Sequence, residues 1–552
     1  MKSLFENLKT LLKKELSILW IFSLVLGLAL VVLQNKNKLP MGIGDFVFIS
    51  ILALCVALYR PRWTFYIFVS LIPLENIILV SGFLPIQLRP YQYTGAILIA
   101  AIFILWAAKR LNFKLLKPIW IDWLVFSLVP LSFLSLINSP IKNTSLKNNL
   151  ILFSFIVLYF LARNFLRTKR HLIETAFFFL ASNIVVLIYG FFQVFADKFG
   201  ARSFEVMFGR PNSTFTEPDW LGVFLCFALA ILFVIARSVA TKQSQAIMEN
   251  TGLSRFARNE NLIATALYFL IFLNLTLLIL TLSRSAWIGA IAVIFFYLIF
   301  NLYKKDSRRT IFTPRKFANQ FLIIFLISLI SLTTIHFGKL SKFDLFDRAR
   351  STATSEQKIT IACDNGNNIP QTVTGTDELA KCGCRHINLE EIDFQKSQGK
   401  FVTEIFRQDP NVMTRSAIYQ KSWEEIKKHP ILGVGYGSIT QSLGTDPRGA
   451  GLNESNIFLQ VWAGCGILGL ISFVAILGYL FIFSFRRLSS ICPLNRFFGC
   501  PIAGDNFEKS LNIFSTLAIM ALIIPNLFNA GLFMGLFWLG LGIFISCVDM
   551  TQ

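Results

Sequence analysis

Apolar runs separated by short polar segments organise most of the chain. The runs are about 17 to 25 residues long, the length that a helix needs to cross about 30 Å of hydrocarbon. Two of them, 63–82 and 454–485, also allow an irregular or broken helix. The pattern predicts about fourteen membrane-spanning helices, over residues 17–34, 44–59, 63–82, 93–108, 120–137, 148–162, 172–196, 219–236, 262–282, 285–303, 318–337, 454–485, 511–528 and 531–548.

Composition favours the same class of protein. Hydrophobic residues make up 55% of the 552 residues, and Phe alone contributes 57 of them. A soluble protein must also cover its surface with polar groups, so this composition excludes an ordinary soluble globular protein. We therefore predict an all-α integral membrane protein.

The net charge of +21 follows the predicted topology. Lys and Arg recur in segments on one side of the predicted helices, including 13–14, 109–117, 163–170 and 304–316. Short basic loops stay on the cytoplasmic side of a membrane. We therefore predict that both termini are cytoplasmic and that the basic segments face anionic membrane lipids. The charge gives little support for a nucleic-acid partner.

One long polar segment divides the predicted helices. Residues 1–337 would form an N-terminal bundle of about eleven helices, 338–452 a large extracytoplasmic loop, and 453–552 the C-terminal membrane helices. Within the loop, residues 351–400 are rich in Asn, Thr, Gln and Gly, and we expect a flexible insert. Residues 414–428 follow the period of an amphipathic helix, which would lie along the membrane surface or cap a cavity.

Three cysteines lie in the insert. An extracytoplasmic location permits a disulfide among Cys363, Cys382 and Cys384. The alternative is a zinc site built on Cys382, Cys384 and His386, which would need Cys363 or another residue as a further ligand. The sequence leaves both open and favours the disulfide.

Two arginines stand beside apolar runs on the predicted extracytoplasmic side. Arg210 and Glu217 lie where the chain returns to the membrane, and Arg284 lies in a very short turn between two apolar runs. Polar groups at such positions are costly and often functional. The alternatives are a capped helix start for Glu217 and a side chain that reaches the lipid headgroups for Arg284.

Two further clusters flank the end of the large loop. Arg415 begins the amphipathic segment, which leads to Gly433 and Gly435 in a glycine-rich turn. Such turns can present N–H groups to phosphate oxygens, although they are also ordinary turns.

The second of these clusters is a row of polar residues, Glu454, Asn456 and Gln460, at the start of the next apolar run. A carboxylate in low-dielectric surroundings can act as a general base. A helix N-cap is an equal alternative.

The clusters together favour a ligand with a charged headgroup and a lipid tail. Arginine presents a fork of donors that matches phosphate oxygens. A lipid-linked pyrophosphate needs such donors at headgroup level while its tail stays in the bilayer.

These motifs resemble the O-antigen ligase and O-antigen polymerase superfamily of bacterial envelope glycan assembly. The likeness covers most of residues 40–550, leaves out the insert at 351–400, and is clearest over 409–470. The matching segments are the helix that begins at Arg415, HPILGVG at 429–435, SNIFLQ at 455–460, GILG at 466–469, the Ser283–Arg284 turn, and Arg210 with Glu217-Pro218.

The resemblance implies a GT-C-like helical glycosyltransferase in the bacterial cytoplasmic membrane. It would transfer a glycan from undecaprenyl pyrophosphate to an acceptor sugar hydroxyl, as a ligase or a polymerase, without metal or other cofactor. Arg210, Arg284 and Arg415 would hold the pyrophosphate. Family ligases carry a His where this chain has Ser455. Either Glu454 would take the acceptor proton in its place, or the arginines would suffice because pyrophosphate is already a good leaving group.

Two rival functions stay open. A transporter or flippase would bind the same lipids through the same arginines without chemistry, although no inverted repeat supports it. A catalytically silent binder of lipid-linked glycans is favoured by Ser455 at the position of the family His.

Overall fold

The computed structural model describes most of the chain as helices. The described residues are 14–80, 87–196, 199, 201–207, 209–248, 254–306, 309–312, 314–354, 356–365, 369–375, 377–387, 391–408, 410–444, 452–489 and 506–550. The chain divides into two compact units, one of Met1–Leu340 with Glu425–Gln552 and the other of Ser341–Glu424.

The first unit is a helical bundle. Its helices before the second unit are α1 (Lys14–Asn35), α2 (Ile43–Tyr59), α3 (Pro61–Leu71), α4 (Pro90–Ala107), α5 (Trp120–Leu134), α6 (Lys142–Phe165), α7 (Lys169–Ala196), α8 (Pro218–Met248), α9 (Ser254–Leu280), α10 (Arg284–Leu302) and α11 (Pro314–Phe337). Strands β1 (Tyr303–Asp306) and β2 (Arg309–Phe312) form an antiparallel hairpin between α10 and α11.

The described residues contain ten helices that are long and apolar enough to cross a membrane, and three shorter apolar helices at Ile43–Tyr59, Ser510–Asn526 and Gly535–Asp549. The prediction of a helical membrane protein is therefore supported, whereas the number of fourteen spans is not confirmed. The run over 63–82 is broken, which is one of the two forms that the sequence allowed. Helix α3 ends at Leu71, and Pro73 follows it.

The chain after α3 turns because its polar groups have partners in other segments. The Glu75 carboxylate accepts a hydrogen bond from Gly535 N at 3.2 Å and pairs with Arg89 at 3.3 Å. Asn76 N donates to Thr214 O at 2.8 Å. These contacts satisfy buried polar groups that a straight apolar helix would leave unpaired.

Ionic contacts also tie the C-terminal helix to the N-terminal half of the bundle. Arg163 on α6 is fully buried and pairs with Asp122 on α5 and, at 2.7 Å, with Asp549. Tyr159 donates to the same Asp122 carboxylate. A buried charge is tolerated only when it is paired in this way, so this cluster fixes the packing of three helices.

The structure is mostly helical, as the all-α prediction requires, and the second unit adds one small sheet. Strands β3 (Glu356–Cys363), β4 (Thr372–Val373), β5 (Cys384–His386) and β6 (Phe401–Gln408) form a four-stranded sheet in the order β4-β6-β3-β5. Short helices α12 (Leu345–Thr354), α13 (Asp377–Lys381) and α14 (Ile392–Ser397) accompany it. Residues 351–400, for which we expected a flexible insert, therefore include paired strands with their own apolar core around Ile361.

A disulfide joins strands β3 and β5 through Cys363 and Cys384. This confirms the disulfide alternative and uses both Cys363 and Cys384, two of the cysteines named for the zinc alternative, while Cys382 is free and exposed. The described part of the chain contains no group of three or more His, Cys, Asp or Glu side chains arranged to hold a metal ion.

The remaining helices return the chain to the bundle. Helix α15 (Pro410–Lys428) covers the predicted amphipathic segment and begins earlier than expected, and α16 (Ile439–Leu443), α17 (Ile457–Ser489), α18 (Asn506–Asn526) and α19 (Gly535–Asp549) follow. Helix α17 is broken at Gly466, whose φ of 67° and ψ of −172° are not helical. The expectation that the run over 454–485 could be broken is therefore confirmed.

Candidate functional site

Four segments of the first unit meet at one end of the bundle, and we call them the polar corner. They are 209–219 before and at the start of α8, 281–285 between α9 and α10, 453–460 at the start of α17, and 526–535 between α18 and α19. Hydrogen bonds between their polar groups join them into one continuous set. Three of the four clusters predicted from the sequence contribute to this corner.

Arg210 joins the first two segments. Its Nε donates to Thr281 O at 3.0 Å, and an Nη lies 3.4 Å from the Asp219 carboxylate. The side chain is 16% exposed. An arginine has five N–H donors, and these contacts leave part of the guanidinium open to a further acceptor. Arg210 is therefore anchored to the turn that ends at Arg284.

The turn over 281–285 is tightly packed. Leu282 has a φ of 54°, and Ser283 Oγ lies 3.4 Å from Ala286 N at the start of α10. A Cβ on Gly222 of α8 would lie 2.3 Å from the Cβ of Ala286. Only glycine allows the two helix starts to approach so closely, and this approach holds Arg284, at the first position of α10, in a fixed place beside α8.

The third and fourth segments are joined by side-chain amides. Asn456 donates to Leu527 O at 2.8 Å while its Oδ1 accepts from the N–H groups of Phe458 and Leu459. Gln460 Oε1 accepts from Leu532 N at 3.2 Å. The predicted N-cap alternative is therefore confirmed for Asn456, which caps α17. Both amides are occupied by protein groups, and their contact with a substrate stays a prediction.

A residue that the sequence analysis missed closes the set. Asn529 donates to Ser285 Oγ at 3.0 Å and so links the turn between α18 and α19 to the start of α10. Glu75, which also reaches this end of the bundle through Gly535, was missed as well. The available signals were a carboxylate inside an apolar run at Glu75 and an Asn between two apolar runs at Asn529.

Glu454 is the buried carboxylate of the corner. Only 4% of it is exposed. Burial raises the pKa of its carboxyl, and a hydrogen bond from its own backbone N–H opposes part of that shift. Burial also raises the pKa of the neighbouring Tyr436 hydroxyl, and the Cys465 thiol and Glu454 raise it further. A buried carboxylate of this kind is suited to accept a proton.

The glycine-rich turn at 429–437 packs against the break in α17. The N–H groups of Val434 and Gly435 both donate to Ala463 O, at 2.8 and 3.0 Å, and Ile467 N donates to Pro430 O at 3.1 Å. Gly433 N donates to His429 O. These bonds fill the backbone groups that the break leaves open. The N–H groups of Gly433 and Gly435 are thus engaged within the protein, and a phosphate contact there stays a prediction.

The two remaining predicted site residues are Glu217 and Arg415. Glu217 precedes the first residue of α8, and its carbonyl accepts from Leu221 N at 3.2 Å, so its backbone takes the capping position. Arg415 lies on α15 within the second unit, where it is partly exposed and close to Tyr419. Its participation in the site stays a prediction.

Comparison with known proteins identifies part of the chain. Residues 269–474 match the family model described as O-Antigen ligase. The match includes the turn at 281–285, the glycine-rich turn and the start of α17. A comparison with curated proteins finds no match. This match over residues 269–474 supports an O-antigen ligase- and polymerase-like protein, and it agrees with the resemblance of the motifs.

Proposed function

We propose that this protein transfers a glycan from undecaprenyl pyrophosphate to an acceptor hydroxyl, at the extracytoplasmic face of the bacterial cytoplasmic membrane. The family match supports a ligase- or polymerase-type function. The observation that carries the finer proposal is the hydrogen bond from Arg210 Nε to Thr281 O, because it joins Arg210 to the turn that ends at Arg284.

The two arginines would stabilise the departing pyrophosphate. When the bond between the anomeric carbon and the pyrophosphate oxygen breaks, the electron pair and its negative charge stay on the lipid pyrophosphate. Guanidinium groups match phosphate oxygens in two places at once, and fixed donors aimed at developing charge typically contribute about 100- to 1,000-fold in rate. Arg415, the third predicted arginine, would supply a further guanidinium.

The acceptor hydroxyl would attack the anomeric carbon and lose its proton to Glu454. Ser455 stands where family ligases carry a His, and Glu454 is the adjacent buried carboxylate with a raised pKa. The acceptor oxygen bonds to the anomeric carbon, the lipid pyrophosphate leaves with the electron pair, and the proton goes to Glu454, so the atoms balance. No metal or nucleotide sugar is needed, because pyrophosphate is already a good leaving group. The remaining predicted residues, Glu217, Gly433, Gly435, Asn456 and Gln460, would orient the substrate or the segments that bind it.

Ligase and polymerase reactions share this chemistry and differ in the acceptor. A ligase would use a lipid core or a protein, and a polymerase would use a second lipid-linked repeat. Both need the same arginines and the same base, so the proposal covers both.

The test is glycan transfer by purified protein in nanodiscs with undecaprenyl-pyrophosphate oligosaccharide and native lipid extract. We expect Arg284→Ala to lose at least about 100-fold in rate, and Glu454→Gln to lose rate with little change in donor binding. Arg315→Ala is the matched control, because this exposed arginine is the second residue of α11 and lies outside the polar corner.

Two outcomes would contradict the proposal. Transfer by Arg284→Ala at the wild-type rate would remove the arginine from the reaction. Absence of product from wild-type protein, with donor binding that disappears in Arg284→Ala, would instead identify a transporter or a silent binder of lipid-linked glycans.

A further inference from the structure

A second cluster of arginines lines a cavity at the other end of the bundle. The cavity has a volume of about 440 Å³, and five arginines contribute to its wall: Arg60, Arg62, Arg110, Arg167 and Arg170. None of the candidate site residues discussed above lines it.

The position of the cavity follows from the helices that border it. Its lining comes from the start of α1, the junction of α2 and α3, the residues after α4, and the junction of α6 and α7. Helix α7 begins at this cavity, and its far end leads to the segment of Arg210. Its 28 residues rise about 42 Å, more than the thickness of the hydrocarbon core. The cavity therefore lies at the headgroup level opposite the polar corner.

The carboxylates of the cavity leave most of its positive charge uncompensated. Glu174 pairs with Arg170 at 2.6 Å and also accepts a hydrogen bond from Tyr66. Glu15 is the other carboxylate in the lining. Within the described residues, Arg60, Arg62 and Arg110 form no ion pair with a carboxylate, so these three guanidinium groups can bind an external anion.

Much of the rest of the wall is apolar and aromatic, and Asn112, Asn164 and His171 also contribute to it. The guanidinium of Arg60 lies 5.1 Å from the ring centroid of Tyr59 and 5.4 Å from that of Trp63, and that of Arg167 lies 5.5 Å from the ring of Phe113. Aromatic residues of this kind are typical of the membrane interface. A soluble anion such as inorganic phosphate has no apolar part that could pack against this wall. A lipid has glycerol and acyl groups next to its phosphate, and these can.

We propose that this arginine cavity binds the phosphate-bearing headgroup of an anionic membrane lipid. Arginine donors match the phosphate oxygens, and the aromatic side chains pack against the adjoining apolar part of the lipid. The bound lipid would fill the space where α2, α4 and α6 end and α7 begins, and would brace these helix termini. This site does not depend on the glycan-transfer proposal, because it uses none of the same residues.

The experiment measures lipid binding by native mass spectrometry of the full chain in phosphatidylcholine-containing micelles, titrated with phosphatidylglycerol. We expect Arg60→Gln/Arg62→Gln to weaken the first phosphatidylglycerol site by at least about tenfold, because basic residues near a membrane surface contribute substantially to anionic lipid binding. Arg110→Gln should weaken it less. The matched control is Lys36→Gln/Lys38→Gln, which removes two exposed cations beyond the opposite end of α1.

A second arm distinguishes a lipid from a soluble phosphate. Inorganic phosphate in large excess should leave the phosphatidylglycerol site occupied if the apolar wall contributes to binding. Displacement by inorganic phosphate would overturn the lipid assignment. An equal loss in the arginine and lysine variants, or no loss in either, would overturn the site itself, because binding would then follow overall charge or other residues.

Discussion

The break in α17 and the polar corner both interrupt apolar helices, and they differ in which groups form the hydrogen bonds that the interrupted helices lack. At the break, backbone groups bond to backbone groups, as Val434 N and Gly435 N do with Ala463 O. At the corner, side chains bond to the backbone, as Arg210 does with Thr281 O and Asn456 with Leu527 O. Both arrangements provide hydrogen-bond partners for backbone groups, which lipid tails cannot do.

This difference indicates that the break has a structural role, whereas the corner can also bind a ligand. The lock at the break is made by backbone groups, and Tyr436 fills the adjoining space with its hydroxyl 3.1 Å from Cys465 Sγ. The corner holds side chains that can donate further hydrogen bonds, among them the partly exposed guanidinium of Arg210. Substitutions at the break should therefore change stability, and substitutions at the corner should change stability and transfer separately.

The largest expected effect is at the break itself. A Cβ on Gly466 would lie 2.0 Å from Ile431 O, and the backbone there is in a region that only glycine adopts readily. We expect Gly466→Ala to lower the free energy of unfolding by about 3 kcal/mol, because backbone strain costs about 1 to 3 kcal/mol and an overpacked buried side chain a similar amount. Thermal unfolding in nanodiscs measures the change.

The same helix offers a matched control. A Cβ on Gly478 would meet no atom within 4 Å. Gly478→Ala should leave the protein unchanged or stabilise it by about 0.5 to 1 kcal/mol, because alanine favours a helix over glycine. Equal unfolding temperatures for the two variants would show that the turn at 429–437 does not lock the break.

A smaller effect is expected at the corner. Asn456→Ala removes the cap of α17 and leaves Leu527 O without its donor, and we expect a loss of about 2 kcal/mol. Asn456→Ser keeps a capping oxygen but cannot make both contacts, so about half of that loss should remain. Unfolding and transfer are measured on the same preparations.

These two variants also test the substrate contact predicted for Asn456. If the residue only positions α17, transfer per folded molecule should stay close to wild type in Asn456→Ser. A large loss of transfer in a variant that is still folded would show that the amide contacts the substrate, against the division between support and chemistry drawn above.

Much of the fold could be predicted because lipid restricts the choices. Long apolar runs have to form helices, and the helices near 148–162, 172–196 and 318–337 follow from that rule. The path of the chain after Leu71 could not be predicted, since the partners of Glu75 and Asn76, Gly535 and Thr214, are distant in sequence. The sheet in the second unit was missed because its strands are short and its pairing is non-local.

The candidate site was predictable in part for a similar reason. Arg210, Arg284 and Glu454 stand out from apolar surroundings, and Arg210 and Arg284 prove to lie beside one turn. The lock formed by Val434 and Gly435 could not be predicted, because it depends on Ala463 O being left open by a break in another segment. Asn529 was missed because one Asn between two apolar runs is a weak signal.

The smallest and most selective effect concerns Glu454. Burial raises the pKa of its carboxyl above the ordinary value of 4.5 in the folded state. The folded protein therefore loses stability as pH rises from the unfolded pKa through the folded one, because the buried carboxylate becomes ionised. Relative to wild type, Glu454→Gln should unfold at a similar temperature in acid and at a higher temperature at neutral pH. Glu424→Gln, at an exposed carboxylate, is the control and should show no such divergence.

Transfer should depend on pH in the opposite direction. A general base acts only when ionised, so wild-type transfer should rise over the same pH range in which Glu454 costs stability, and Glu454→Gln should lose that rise. If Glu454 were only a buried structural residue, the unfolding temperatures would diverge with pH while the two transfer profiles stayed parallel. Opposite slopes for stability and transfer, both removed by one substitution, would connect the burial of this carboxylate directly to the reaction.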